Sequence, residues 1–223
     1  MKEIRVLVVL WVFVSATNGV NAREIAVSPG ADIVSSYIWR GLYCGPASVQ
    51  PGISLSVGNF SVGTWGSASF ENTWREVDLY AGYAVGNFSV LVTDYFFPHD
   101  LPAGERVNYF DYSEHVFEAT LGYSFGEFVP LSLAWNTNFA GDDDYSSYVE
   151  ACYSLQAGSV AIDLILGATP WAGLYSGGFA LVNTSIKASK EITITDSFSL
   201  PVFSQIILNP DRKDVFLVFG VSF

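Results

Sequence analysis

Charge is scarce in this chain, and positive charge scarcest. Charged residues make up 14% of it, against about a quarter in an average globular protein. Lys and Arg number 10 against 22 acidic residues, a net charge of −12. So few cations exclude a nucleic-acid partner, whose phosphates need Lys and Arg. There are only two cysteines, Cys44 and Cys152, too few for a disulfide framework. They could pair in an oxidising compartment, although the strand pattern below puts one in a loop and the other within a strand. The only histidines are His99 and His115. Long hydrophobic runs are also missing. No segment reaches the ~18 consecutive apolar residues of a helical membrane span, although half of the chain is hydrophobic and 16% is aromatic.

The N-terminus has the layout of a secretory signal. Lys2 and Arg5 precede the apolar run 6–14, and Val20-Asn21-Ala22 offers small residues for cleavage. Residues 1–22 are therefore expected to be a cleaved signal peptide and 23–223 a single β-barrel domain. Arg23 rather than Cys follows the cut, which disfavours a lipid anchor. Removing Lys2, Arg5 and Glu3 leaves eight basic against twenty-one acidic residues, a net charge of −13.

An exported chain rich in apolar residues but without long apolar runs fits a wall in which they alternate. Apolar residues at every second position face lipid from a closed sheet. Turn signals at Gly58-Asn59, Gly86-Asn87, Gly126-Glu127 and Ala157-Gly158 separate segments of about ten residues, the length of a transmembrane β-strand. The pattern predicts twelve strands, at 31–40, 48–57, 60–70, 75–85, 88–97, 114–125, 128–139, 145–156, 159–168, 179–188, 198–208 and 213–223. With the N-terminus in the periplasm, all four tight turns follow even-numbered strands. Most longer connections then fall outside the cell, the asymmetry typical of bacterial barrels. The stretch 189–197 is expected to be a longer periplasmic connection with at most a small strand of its own. The fold class is thus all-β, a transmembrane antiparallel up-and-down barrel of about twelve strands.

The last strand ends on Phe223, with Val215, Leu217, Phe219 and Val221 on the same face. It resembles the C-terminal strand of bacterial outer-membrane barrels, and that resemblance implies a Phe223 signal read by the outer-membrane assembly machinery. Three further segments, Val34-Ser35-Ser36-Tyr37-Ile38-Trp39-Arg40-Gly41, Gln50-Pro51 and Gly63-Thr64-Trp65-Gly66-Ser67, are joined by Asn209-Pro210-Asp211-Arg212-Lys213-Asp214-Val215-Phe216. Together they resemble the TorF family of porin-like outer-membrane barrels. The resemblance implies a barrel and a channel and carries no substrate residues.

An internal repeat supplies the candidate site. Gln50, Asp78, Glu118 and Glu150 each precede a turn glycine by eight residues, which gives them one height and one face of the wall. The opposite face of two of these strands carries Val77, Leu79, Ala81 and Tyr83, or Phe117, Ala119, Leu121 and Tyr123. If that apolar set meets lipid, the acidic set points inward. Glu76 and Asp163 share the inward parity. Gln50, Glu76, Asp78, Glu118, Glu150 and Asp163 are therefore the predicted pore-lining residues, and rings of carboxylates favour cations. The expected function is passive, cation-preferring diffusion of small solutes through the bacterial outer membrane, without enzyme chemistry, metal or cofactor. The expected partners are the lipid bilayer, lipopolysaccharide and the assembly machinery.

Other readings fit the same residues. The carboxylates could pair with Arg75, Lys187 or tyrosines and fill a closed lumen, leaving a structural or adhesive barrel. A lipid hydrolase would need Ser113 and His115 to act together. Trp39-Arg40-Gly41 is expected to end strand 1 at the outer interface as an anchor, with Arg40 facing a lumen carboxylate or a lipid phosphate. The loop 98–113 either folds inward or stays on the surface. Asp142-Asp143-Asp144 is either a solvated tip or a Ca²⁺ ligand set.

Overall fold

A computed structural model describes residues 25–98, 108–126 and 129–223. The expected signal peptide lies outside them, as do His99, Asp100, Glu105 and Arg106 of the loop 98–113. Among the described residues, twelve strands close into an antiparallel barrel, and a two-stranded hairpin stands apart from the wall. In chain order the strands are β1 (Ile25–Val34), β2 (Tyr37–Trp39), β3 (Leu42–Gly45), β4 (Ser48–Val57), β5 (Phe60–Ser69), β6 (Arg75–Val85) and β7 (Phe88–Phe96). They continue with β8 (His115–Ser124), β9 (Leu131–Ala140), β10 (Ser147–Ala157), β11 (Val160–Thr169), β12 (Ala180–Thr195), β13 (Phe198–Asn209) and β14 (Asp214–Ser222). No described helix is long and apolar enough to cross a membrane.

Alternation builds the wall. Val77, Leu79, Tyr83 and Val85 of β6 are exposed, whereas Glu76, Asp78 and Ala84 between them are buried. The same rule exposes Val90 and Val92 on β7, and Leu164 and Leu166 on β11. On these strands the exposed positions are apolar, and the charged side chains lie inside. The turns after β4, β6 and β10 place Gly58, Gly86 and Gly158 at φ between 57° and 63°. Two-residue hairpins require a positive φ at this first central position when the turn is of type II′. Beside these turns, Phe60 packs on Tyr83 and Phe88 on Tyr123, each with ring centroids 4.7 Å apart. They form an aromatic belt at the short-turn end.

Closure is made by β14 and β1. Asp32, Ile33 and Val34 pair with Ser222, Val221 and Gly220, and Phe223 exchanges backbone hydrogen bonds with Ala31 in both directions. β1 also pairs with β4 along its whole length.

Three expectations need correction. The first wall strand is 25–34, not 31–40. Pro29 lies in the part of β1 that β14 does not reach, where a missing N–H costs the sheet least. The stretch 189–197 is mostly strand: β12 runs on to Thr195, and only Asp196-Ser197 turns the chain. Its Ile192-Thr193-Ile194-Thr195 segment is β-branched throughout, which favours extension. Trp39-Arg40-Gly41 does not end a wall strand; it is the tip of the β2–β3 hairpin, inside the barrel.

The described part of the loop 98–113 packs against the outer wall. Tyr95 faces the lumen, so Asp94 and Phe96 face outward. Tyr109 packs on Phe96 and donates to Asp94, and Tyr112 of the 3₁₀ turn Tyr112–Glu114 packs on His115. Cys44 and Cys152 are both free thiols.

Candidate site: the hairpin and chamber inside the barrel

The hairpin is built by a tight turn between two aromatic-rich arms. Trp39 pairs with Leu42, and Arg40 and Gly41 form the turn at φ 51° and 83°. Both central residues of a type I′ turn take positive φ, a region that disfavours Arg by ~1–2 kcal/mol. At Gly41 a side chain is also excluded by space, since a Cβ would lie 2.0 Å from the Val182 carbonyl oxygen. The Gly41 carbonyl accepts a 3.1 Å hydrogen bond from Asn209 Nδ2.

From its root beside β1 the hairpin crosses the lumen. Tyr37 packs against Trp65 of β5 and Trp74, and its hydroxyl lies 3.4 Å from Glu76. Trp39 packs against Tyr95 of β7 and Tyr175 of the loop 170–179. Arg40 reaches the far wall, donating to both carboxylate oxygens of Glu118 on β8 at 2.5 and 2.9 Å, and to the Tyr175 hydroxyl at 2.7 Å. Its guanidinium also sits 4.5 Å from the Trp39 ring centre and 4.9 Å from that of Tyr148 on β10. Leu42, Tyr148, Tyr175 and Val182 form one buried cluster with Trp39 and Ala180 against it. The core of this barrel therefore lies inside its lumen, at the long-loop end.

All six predicted pore-lining residues are buried on the inner side of the wall. They do not form a free carboxylate ring. Glu118 is held by Arg40, and Tyr95 donates to it at 3.0 Å. Glu76 accepts from the Trp74 indole and Tyr37. Glu150 accepts a 2.5 Å hydrogen bond from the Tyr148 hydroxyl. Asp163 accepts from Ser154 at 2.6 Å and stands opposite Lys187 in the β11–β12 register. The Lys187 ammonium lies over the Phe203 ring at 4.2 Å. Gln50 donates weakly to Ser48 at 3.4 Å. Asp78 keeps one buried oxygen without a hydrogen-bond partner.

Below the hairpin the lumen is open. A chamber of about 240 Å³ runs from Trp39, Arg40 and Glu118 toward Ser61, Ala84 and Ser89, which lie near the short-turn end. The inward residues there are small, which leaves the space.

The periodicity of the sequence placed the wall residues but missed Tyr37, Trp39, Tyr148, Tyr175 and Asn183. One signal pointed to the hairpin: Tyr37-Ile38-Trp39-Arg40-Gly41-Leu42-Tyr43 is a short alternating segment centred on an Arg-Gly turn. Tyr175 had none, because a loop residue is brought to Arg40 only by closure of the wall.

Outside the barrel, His115 is buried by a second cluster. Nδ1 lies 2.6 Å from Asp94 Oδ1, Nε2 lies 2.8 Å from the Tyr109 carbonyl oxygen, and the Tyr109 hydroxyl donates to Asp94 at 2.6 Å. The Ser113 hydroxyl donates to Asp111. Both ring nitrogens of His115 are thus engaged away from Ser113. The 142–144 carboxylates do not gather into a metal-binding group among the described residues.

No curated protein matches the chain. Residues 20–169 match the model of a bacterial family of unknown function, Gcw_chp. The match takes in β1 to β11, with the hairpin, Arg40 and Glu118, and it extends over well more than half of the sequence. The chain therefore belongs to the Gcw_chp family of bacterial proteins of unknown function.

Proposed function

We propose that this protein is an outer-membrane barrel that admits small solutes to its lumen, with the β2–β3 hairpin controlling passage. The observation that carries this reading is a closed wall, apolar outside and polar inside, around a chamber beneath a folded-in hairpin. An apolar band of this kind suits lipid, because the closed sheet leaves no backbone edge to be solvated in hydrocarbon. The likeness of Val34–Gly41 and 209–216 to TorF porins points the same way. In this reading the short-turn end faces the periplasm, and the assembly machinery recognises the strand that ends in Phe223. Lipopolysaccharide surrounds the long-loop end. No chemical step is assigned; selection comes from width and lumen charge. Because Glu118 is neutralised by Arg40 and Asp163 faces Lys187, any cation preference rests on Glu76, Asp78 and Glu150 rather than on a complete ring.

The hairpin itself favours a second reading, a barrel closed in its resting state. It reaches from β1 to the opposite wall at β8 and β10. One experiment separates the two. Val34 and Ser48 are register partners, so an Asn-Gly turn can replace residues 35–47 and join β1 to β4 directly. In planar bilayers the channel reading expects conductance from the native protein and larger unit steps from the shortened one. A silent native protein with a conducting variant would identify the hairpin as a permanent plug. Silence from both would refute solute passage.

A further inference from the structure

We propose that the chamber beneath the hairpin is a binding site for a small neutral polyol, of about the size of a hexose or a disaccharide. The inference rests on the reading that solutes enter this lumen, and it names their class. Its first support is charge. Three carboxylates and two cations line the chamber: Glu118, Glu150, Asp163, Arg40 and Lys187. Arg40 binds Glu118 through two hydrogen bonds, Lys187 is the cross-strand partner of Asp163, and Glu150 holds the Tyr148 hydroxyl. An anionic solute would meet a lining with one carboxylate in excess and would disturb the Arg40–Glu118 pair, while a cationic one would find only Glu150, already held by Tyr148.

The second support is unmet hydrogen bonding. Asn183 is buried, and its amide nitrogen donates to Tyr148 at 2.9 Å, but its carbonyl oxygen has no partner. The hydroxyl oxygen of buried Ser61 also lacks one. Gln50 has only its long contact to Ser48. All three residues line the chamber. Buried polar atoms left without partners are uncommon in folded proteins, and hydroxyl groups of a solute can satisfy acceptors and donors alike.

The third support is shape. Trp39, Trp65 and Tyr95 also line the space and present flat apolar surface between the polar groups. Small-molecule sites combine such aromatic walls with a few placed polar atoms. A polyol ring, apolar on its faces and hydroxylated at its rim, matches both. The volume of about 240 Å³ admits a small solute and no long oligomer.

The test uses the full chain folded in detergent micelles, with tryptophan emission and calorimetry as readouts. Titrants are D-glucose, maltose and myo-inositol, with glucosamine and glucuronate as charged counterparts. A saturable response to at least one neutral polyol is expected, with about tenfold weaker binding of the charged sugars. Asn183→Leu and Gln50→Met should each weaken that binding about tenfold, the factor expected for one lost hydrogen bond. The heat-modifiable gel band that marks a folded barrel should stay unchanged, and either variant suffices if the other fails to fold. No saturable response to the three neutral polyols would overturn the inference, as would equal or tighter binding of a charged sugar, or native affinity in both variants. Conductance without polyol binding removes this inference and leaves the channel reading standing. Polyol binding without conductance does the reverse.

Discussion

Breaking the Arg40–Glu118 pair is the most direct test of how the hairpin is held. The Arg40 and Glu118 side chains are 13% and 2% exposed. Removing one partner of a buried pair leaves a desolvated charge and costs about 3–5 kcal/mol. Two features lower that figure for Glu118→Gln. Arg40 would keep the Tyr175 hydroxyl and the two ring faces, and cation–π contacts contribute ~0.5–2 kcal/mol. The expected loss is therefore about 2–3 kcal/mol. For Arg40→Met the orphaned Glu118 keeps Tyr95 as a donor, and a similar loss is expected. The backbone strain at residue 40 persists in both backgrounds and cancels. In the double variant, Arg40→Met with Glu118→Gln, neither charge remains. Its loss should be well below the sum of the single losses, with a coupling of at least ~2 kcal/mol. Equilibrium unfolding in urea, followed by tryptophan emission in detergent or lipid, measures the cycle. Protease cleavage within 35–47 reports separately whether the hairpin undocks before the wall opens. A coupling below ~0.5 kcal/mol, with no change in hairpin protection, would refute the claim that this pair fastens the hairpin.

Three further outcomes follow from named contacts. Gly41→Ala and Gly58→Ala both place a side chain at positive φ, but only Gly41 meets backbone, at Val182. Gly58→Ala should cost ~1 kcal/mol and Gly41→Ala distinctly more, with a loosened hairpin seen by proteolysis; equal losses would show that the close approach is unimportant. In the loop after β9, partial burial pushes the Asp142 carboxyl up, but hydrogen bonds from Ser146, Asn138 and the Asp144 backbone N–H outweigh this and hold it below its ordinary 3.8. A depressed folded value stabilises the loop above pH 3.8 and is lost as pH falls through the folded value. Amide protection factors at Asp144 and Ser146 should therefore fall only in acid, and in Asp142→Asn they should be pH-independent there. Phe223→Ala keeps the backbone bonds to Ala31 and removes a largely exposed side chain. It should leave unfolding nearly unchanged while lowering the yield of barrel assembled in outer membranes; native assembly would remove Phe223 as the recognition element.

Most of the wall was legible in the sequence because β alternation is a local property. Ser48–Val57 and Arg75–Val85 occupy their predicted limits, since a turn glycine or a run of polar residues bounds each of them. The inward position of Gln50, Glu76, Asp78, Glu118, Glu150 and Asp163 followed from the same two-residue period. Three misplacements share a different origin. Tyr37 and Trp39 alternate as a wall strand would, and only the presence of an enclosed lumen lets them bury both faces. The start of β1 at Ile25 depended on β4 offering a partner edge as far as Val57. The extension of β12 past Ala188 depended on β13 offering a partner edge as far as Phe198.

By itself, then, the sequence determined a twelve-stranded alternating wall, its closure on Phe223 and the face on which its carboxylates lie. These follow from local spacing and turn chemistry. Whether those carboxylates stay free was a matter for the tertiary structure alone. Arg40 and Glu118 are separated by 78 residues, and Arg40 and Tyr175 by 135. No local period links such positions. They meet because closing the sheet encloses a space, and the cheapest way to fill its upper half is to fold the hairpin at residues 37–45 into it.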